Sequence, residues 1–290
     1  MSLLLLDIGN SRLKWALVRR RYRRGQPFAA YGAIDIRMLR RSRAVWSRLF
    51  MAAGTADAIY VCNVAGRAVE RQIRAAARRA GLKAPQFARS QAAGGGVRNA
   101  YREPWRLGAD RWLSLIGARH EHPGKDLCLV GLGTAMTVDL LDATGRHVGG
   151  CLVPGPRLMI ESLLEHTAGI RRRAGGRAAA SSFDLAFRIG SARKSAVRRH
   201  QPVDLFAQDT HAGLLAGARY ACAALIGNAA QAARLRLGRR PRLILAGGAA
   251  DAITPLLHGR YWRQDDLVLR GLAVLAATPR APDRIKSARA

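Results

Sequence analysis

Apolar positions along the chain fall into short runs and helical stripes that alternate. Residues 3–18, LLLLDIGNSRLKWALV, predict two buried strands joined at a polar tip, because Leu, Val and Trp in short runs suit a sheet interior. Asp7, Gly9, Asn10 and Ser11 interrupt the apolar pattern at that tip. Further on, AIYVCNVAG (58–66) reads as a strand leaving through a turn, and RAVERQIRAAARRAGL (67–82) as an amphipathic helix ending at Gly81. AAGGGVRNAYREP is a loop by its glycines and its proline. LGADRWLSLIGARHEH (107–122) places Leu113, Ile116 and Gly117 at helical spacing, so Asp110 falls near the first turn of that helix. DLCLVGLGTAMTVDLLDATGRHVGG (126–150) then repeats the opening: strand, glycine turn, strand, and a turn at ATGR. Helices are expected near 156–167 and 209–236, a strand RLILAGG at 242–248 and a last helix near 270–277, before a tail rich in Pro, Arg and Ser. Residues 171–205 lack a clear pattern and read as a surface excursion.

Composition narrows the class. With 290 residues, 49% of them hydrophobic, the chain can bury a substantial core in one large domain or two smaller ones. The opening leucines stop at Asp7, and no run approaches eighteen apolar residues, so neither a membrane span nor a signal peptide is expected and the chain reads as cytoplasmic. Cys62, Cys128, Cys151 and Cys222 form no CxxC pair, which argues against a zinc site or a disulfide framework. The formal charge of +30 invites nucleic acid or an acidic ligand. Yet the basic runs RRRYRRGQ, RRRAGGR and ARKSAVRRH carry almost no interleaved aromatics to stack bases, and they read as solvated loops.

The polar tip has a chemical reading. A tight turn with little side-chain bulk lets backbone N–H groups approach phosphate oxygens. Asp7 supplies a carboxylate for a hydrated magnesium ion, which takes one or two carboxylates plus phosphates, and Lys14 can reach an anion. Asp7–Ser11, Gly131–Thr134 and Gly247–Gly248 are three such tips in order, suited to cradling one nucleotide. His120, His122, His147, His166 and His211 show no ligand-like spacing and read as surface or structural residues. Asp139 stands either near the nucleotide or at the start of a turn, and is not counted among the site residues.

This arrangement resembles the actin, hexokinase and Hsp70 superfamily: an α/β fold of two related ribonuclease H-like domains with a nucleotide cleft between them. The motifs DIGNSRLKW, NAYREPWRLGADRW, GLGTAMTVDLLDATGRHVGGCLVPGPRLM, HTAGI, QDTHAGLLAG and LAGGAAD follow one another over nearly the whole chain. Together they resemble the type III pantothenate kinases, the family that includes the Bvg accessory factor proteins. The resemblance implies halves at 1–120 and 121–280 with a tail at 281–290. It implies transfer of the ATP γ-phosphoryl group to the primary hydroxyl of pantothenate, with magnesium, the first step toward coenzyme A, in a homodimer.

Carried over motif by motif, the resemblance makes Asp110 the general base, where the plain alternative is a helix cap. Arg111 would bind the pantothenate carboxylate end or a phosphoryl oxygen, against the alternative of a surface ion pair. Gly108, Ala109, Asp110 and Arg111 form the implied substrate-binding stretch, joined by Tyr101 and by Thr210, which otherwise simply starts a helix. Asp7, Ile8, Gly9, Asn10, Ser11, Arg12, Leu13 and Lys14 form the implied first phosphate segment, and Thr134 the second phosphate contact.

One position departs from the family pattern. Many members carry an aspartate where this chain has Gly131, and there it holds a monovalent cation, potassium or ammonium. Either the ion is dispensed with here, or another group replaces the carboxylate, or phosphoryl transfer is impaired. Two other classes remain as alternatives: a catalytically weak accessory protein on the same fold, which the Gly131 substitution allows, and a basic nucleic-acid binder, which the +30 charge suggests.

Overall fold

The computed structural model describes residues 2–19, 22–41, 43–52, 56–175, 183 and 204–277. The tail expected at 281–290, and most of the surface excursion expected at 171–205, lie outside the described residues. These residues form two compact units. Of the described residues, the first holds those up to Gly96, then Trp105–Glu121 and Val268–Ala277; the second holds those within Val97–Pro104 and His122–Leu267.

In the first unit, β1 (Ser2–Ile8), β2 (Arg12–Arg19), β3 (Ala30–Asp35), β4 (Ala58–Asn63) and β5 (Gln86–Phe87) make one sheet in the order β3-β2-β1-β4-β5. β1 runs antiparallel to β2 and parallel to β4. As the central strand it is covered on both faces, which is why its leucines are consecutive rather than alternating. Leu4, Leu6 and Ile8 pack with Leu39 of α1 (Ile36–Arg41), Trp46 and Phe50 of α2 (Arg43–Ala52) and Ile73 of α3 (Arg67–Arg79). Leu3 and Leu5 pack on the other face with Leu113 of α4 (Ala109–Glu121) and with Leu269 and Leu272. Each such side chain contributes roughly 1.5–3 kcal/mol on leaving water. α3 buries Val69, Ile73, Ala76 and Ala77, and Gly81 beyond its end takes φ 67°, the left-handed turn that favours glycine.

In the second unit the pattern recurs with β6 (Leu127–Leu132), β7 (Ala135–Leu141), β8 (His147–Pro154), β9 (Arg242–Ala246) and β10 (Trp262–Arg263). Their order is β8-β7-β6-β9-β10, the same arrangement strand for strand, with two antiparallel neighbours on one side of the central strand and parallel strands on the other. The echo in the sequence is thus a repeated ribonuclease H-like topology. Cys128, Val130, Leu132, Met136 and Val138 face a core completed by α5 (Pro156–His166), α6 (Ala168–Arg173), α7 (Thr210–Leu237) and α8 (Ala250–Ile253).

The closing helix α9 (Leu267–Ala277) packs in the first unit from Val268 on. Although it follows the second sheet in sequence, Leu269, Leu272 and Ala273 complete the core around Leu3, Leu5 and Leu113. Gly271 makes this possible, since a Cβ there would meet the Leu113 carbonyl oxygen at 2.1 Å. Among the described residues no helix is long and apolar enough to cross a membrane.

Candidate active site

The first unit gathers two carboxylates on one face of its sheet. Side chains alternate along β1, so Asp7 continues the row of Leu3 and Leu5 toward α4. Lys14 stands directly opposite Asp7 on β2, and Cys62 is its parallel partner on β4. The hairpin closes with Gly9 N–H donating to the Arg12 carbonyl at 3.0 Å. Gly9 is not in the left-handed region, and a Cβ there would make only an ordinary contact. What glycine provides is bare backbone. Ile8 and Leu13 are fully buried, so those two members of the expected phosphate segment offer only main-chain groups, whereas Asn10 is exposed and Ser11, Arg12 and Lys14 are partly so.

Asp110 sits in the first turn of α4, half-buried, with Oδ1 accepting the Arg111 N–H at 2.8 Å. A carboxylate belongs there because the opening N–H groups of a helix lack partners and carry partial positive charge. Gly108 makes room for it: a Cβ at that position would lie 2.7 Å from Asp110 Oδ1. Asp110 thus satisfies one opening N–H of α4 while remaining partly exposed. Arg111 is buried, which rules out a plain surface ion pair. Beneath these groups the Cys62 thiol is pushed well above its ordinary pKa, first by burial and then by the negative charges of Asp7 and Asp110.

The second unit carries the remaining candidates. The β6–β7 turn is held by Gly133 N–H donating to the Ala135 carbonyl at 3.1 Å. Gly155 N–H donates to the Thr134 carbonyl at 2.8 Å, and a Cβ on Gly155 would meet the Gly133 oxygen at 2.2 Å. Gly155 thus braces this turn, a contact the sequence reading missed; its signal was a PGP after an apolar run. Gly247, at φ 103°, packs on the end of β6, where a Cβ would meet the Leu132 carbonyl oxygen at 2.4 Å. Two of the three expected glycine tips therefore touch each other.

Gly131 pairs with Thr137 across the ladder, and a Cβ on Gly131 would lie 2.7 Å from the Thr137 hydroxyl. The position where the family resemblance implies a cation-binding aspartate offers no side-chain donor, and its space is taken by that hydroxyl. These residues do not fit a monovalent cation held by a side chain at 131.

Thr210 opens α7, whose N-cap Asp209 accepts the Ala212 N–H at 2.8 Å, and it borders an apolar groove of about 400 Å³ lined also by Met159, Leu163, Ile170 and Leu214. Tyr101 belongs to the second unit, its N–H held by Asn99 Oδ1 at 3.0 Å. Asp139 starts no turn; it lies within β7, buried, and His147, one of the histidines read as surface or structural, is buried beside it.

A repeated ribonuclease H-like unit, with a carboxylate at the tip of the first hairpin and glycine turns at the matching strand ends of its second copy, defines the actin and hexokinase fold class. Comparison with known proteins gives the family. A sequence profile of the type III pantothenate kinases matches residues 3–232. Curated type III pantothenate kinases include one from Nitrosococcus oceani, 35% identical over 278 residues that cover 94% of this chain and 93% of that one. Another, from Burkholderia thailandensis, is 39% identical over 274 residues covering 94% and 97%. A third, from Paraburkholderia xenovorans, is 38% identical over 275 residues covering 94% of each chain. The chain belongs to the type III pantothenate kinase family.

Proposed function

We propose that this protein transfers the γ-phosphoryl group of ATP to the primary hydroxyl of pantothenate, with Asp110 as the general base. The observation that carries the reading is that Asp7 and Asp110 lie toward one sheet face, both acting on the Cys62 thiol of β4. The hydroxyl proton passes to the Asp110 carboxylate as the new O–P bond forms. The bond from the γ-phosphorus to the bridging oxygen breaks, and ADP departs with that oxygen. Lys14 and the bare backbone of Gly9–Ser11 suit phosphate oxygens, as do Thr134 and its glycines in the second unit. Arg111 offers a planar fork of donors to a carboxylate or a phosphoryl oxygen.

Among the described residues no cluster of three or more metal-ligating side chains occurs. A single Asp7 carboxylate fits magnesium, which is bound through one or two carboxylates plus substrate phosphates and neutralises charge on the transferring group. The family resemblance also supports a homodimer working in the cytoplasm, which sedimentation and cell fractionation would check.

The test is an assay dependent on both ATP and pantothenate, comparing wild type with Asp110→Asn. Removing a general base is expected to lower kcat roughly 10²- to 10⁴-fold. Undiminished activity in the variant would remove Asp110 from the mechanism. A wild type inactive toward pantothenate would favour the accessory-protein reading.

A further inference from the structure

On the face of the second sheet that carries Gly131 and Thr137, two residues further along β7, Asp139 forms a buried pair with His147. Oδ1 of the carboxylate and Nε2 of the imidazole are 3.0 Å apart; His147 is 0% and Asp139 4% exposed. The proton is assigned to Nε2 because a carboxylate faces it, and Nδ1 then has no hydrogen-bond partner among the described residues. Burying an imidazole this way is costly, so the ring's position invites a reason beyond filling space.

The local backbone is shaped to deliver that ring. The register of β8 against β7 slips between His147, opposite Leu141, and Gly149, opposite Leu140. Gly149 takes φ 136°, and a bulge of this kind re-aims the side chains beside it. The ring of Tyr101 lies parallel to the imidazole, with centroids 6.1 Å apart and an interplanar angle of 14°. The segment bearing Tyr101 is tied to the same hairpin, since Arg98 N–H donates to the Gly145 carbonyl at 2.8 Å and Arg98 bridges to Arg146. Asn99 closes the loop on itself, accepting the Tyr101 N–H and donating to the Pro104 carbonyl at 3.2 Å.

We propose that His147, oriented by Asp139, is a positioning residue: its ring seats Tyr101 and so sets the affinity for the alcohol substrate without affecting the nucleotide. This rests on the reading of Tyr101 as part of the pantothenate subsite. The ring face does the seating, while the carboxylate satisfies the imidazole that burial would otherwise leave wholly unpaired.

Steady-state kinetics of the full-length protein would separate the two substrates. His147→Ala is expected to raise KM for pantothenate about tenfold, the equivalent of one lost aromatic contact, with KM for ATP changed less than about twofold. His147→Phe, which restores a ring, should return the pantothenate KM to within about threefold of wild type, and His147→Gln, which keeps a donor toward Asp139 but no ring, should not. Adding His147→Ala to Tyr101→Ala should raise that KM no further. The proposal is overturned if both KM values rise together, if Phe restores no more than Gln, or if the Tyr101 and His147 effects multiply. Should wild type fail to phosphorylate pantothenate, the functional reading falls and the seat is judged by unfolding midpoints alone. Non-additive losses for Tyr101→Ala and His147→Ala would sustain it, and additive losses would end it.

Discussion

Asp7 on β1 and Cys62 on β4 are paired in parallel register, and the charges of Asp7 and Asp110 both act on that one thiol. The relationship explains how a carboxylate at a strand tip and another on a helix 103 positions later come to lie near one buried thiol. The sheet face that buries Leu3 and Leu5 receives α4 through Leu113, and the helix brings Asp110 with it.

The same relationship makes Cys62 chemically silent. A raised thiol pKa leaves little thiolate at pH 8, and thiolate is the reactive form. Burial likewise pushes Cys128 up to about 12 and Cys222 up to about 11, whereas Cys151 is exposed. In the folded protein at pH 8 a thiol reagent should therefore modify about one cysteine per chain quickly, and all four only after unfolding. Peptide mapping checks the site, and rapid labelling of Cys62 would contradict its placement beneath the carboxylates.

Gly108 is expected to be as sensitive as the aspartate it accommodates. A methyl group there would push against Asp110 Oδ1, which lies 2.7 Å from the position of the missing Cβ. Since a displacement near 1 Å at a reacting group can cost about a hundredfold, Gly108→Ala should lower kcat by that order. The thermal midpoint should fall little, because the change lies at a partly exposed helix terminus. Circular dichroism on the same sample separates the two effects.

Much of this was legible from sequence because it is written locally. Four consecutive leucines signal a strand covered on both faces, and the recurrence of strand, glycine turn and strand announces a repeated unit. The helical spacing of Leu113, Ile116 and Gly117 put Asp110 in a first turn, and the resemblance of its motif to the family supplied its expected role. Contacts closed over long separations left no such trace. Nothing in α9 says that Leu269 will pack against Leu3, and PGP does not reveal that Gly155 must abut the Gly133 carbonyl. His147 and Asp139 are eight residues apart across a hairpin whose register a bulge alters, so an alternation argument misplaces one of them. Ile8 and Leu13 were expected at the phosphates, but the strand alternation that aims Asp7 toward the α4 face turns their side chains into the core on the opposite face.

Gly131 leads to a prediction about ions. With no donor at 131 and the Thr137 hydroxyl in that space, replacing potassium or ammonium by tetramethylammonium should change the rate less than about twofold, since surface screening is all that remains. Gly131→Asp alone should not confer activation, because its Cβ would strike the Thr137 hydroxyl at 2.7 Å. Combined with Thr137→Ala the clash is removed, and only this pair is expected to make the rate respond to potassium. Strong activation of wild type would show that another group has replaced the carboxylate.

Glu121 supports the first unit from the far end of α4. It accepts the Tyr22 hydroxyl at 2.6 Å, the Gly25 N–H at 3.0 Å and Arg270 of α9 at 3.0 Å, and Arg270 also donates to the Tyr22 hydroxyl. Burial alone would raise the pKa of Glu121, but these donors together hold it below the ordinary glutamate value. A depressed carboxylate adds stability above its unfolded pKa, about 4.3, and loses it as pH falls through the lower folded value. Glu121→Gln should therefore cost about 1–3 kcal/mol near neutral pH, and the gap to wild type should narrow as pH drops below about 4. Tyr22 moves the other way: burial first, then the Glu121 hydrogen bond, raises its pKa, so its contribution holds below about pH 10 and is lost as pH climbs through the higher folded value. Denaturant unfolding of wild type and variant across the pH range reads both limbs, and a gap independent of pH on the acid side would show that the carboxylate carries no charge-dependent share of the stability.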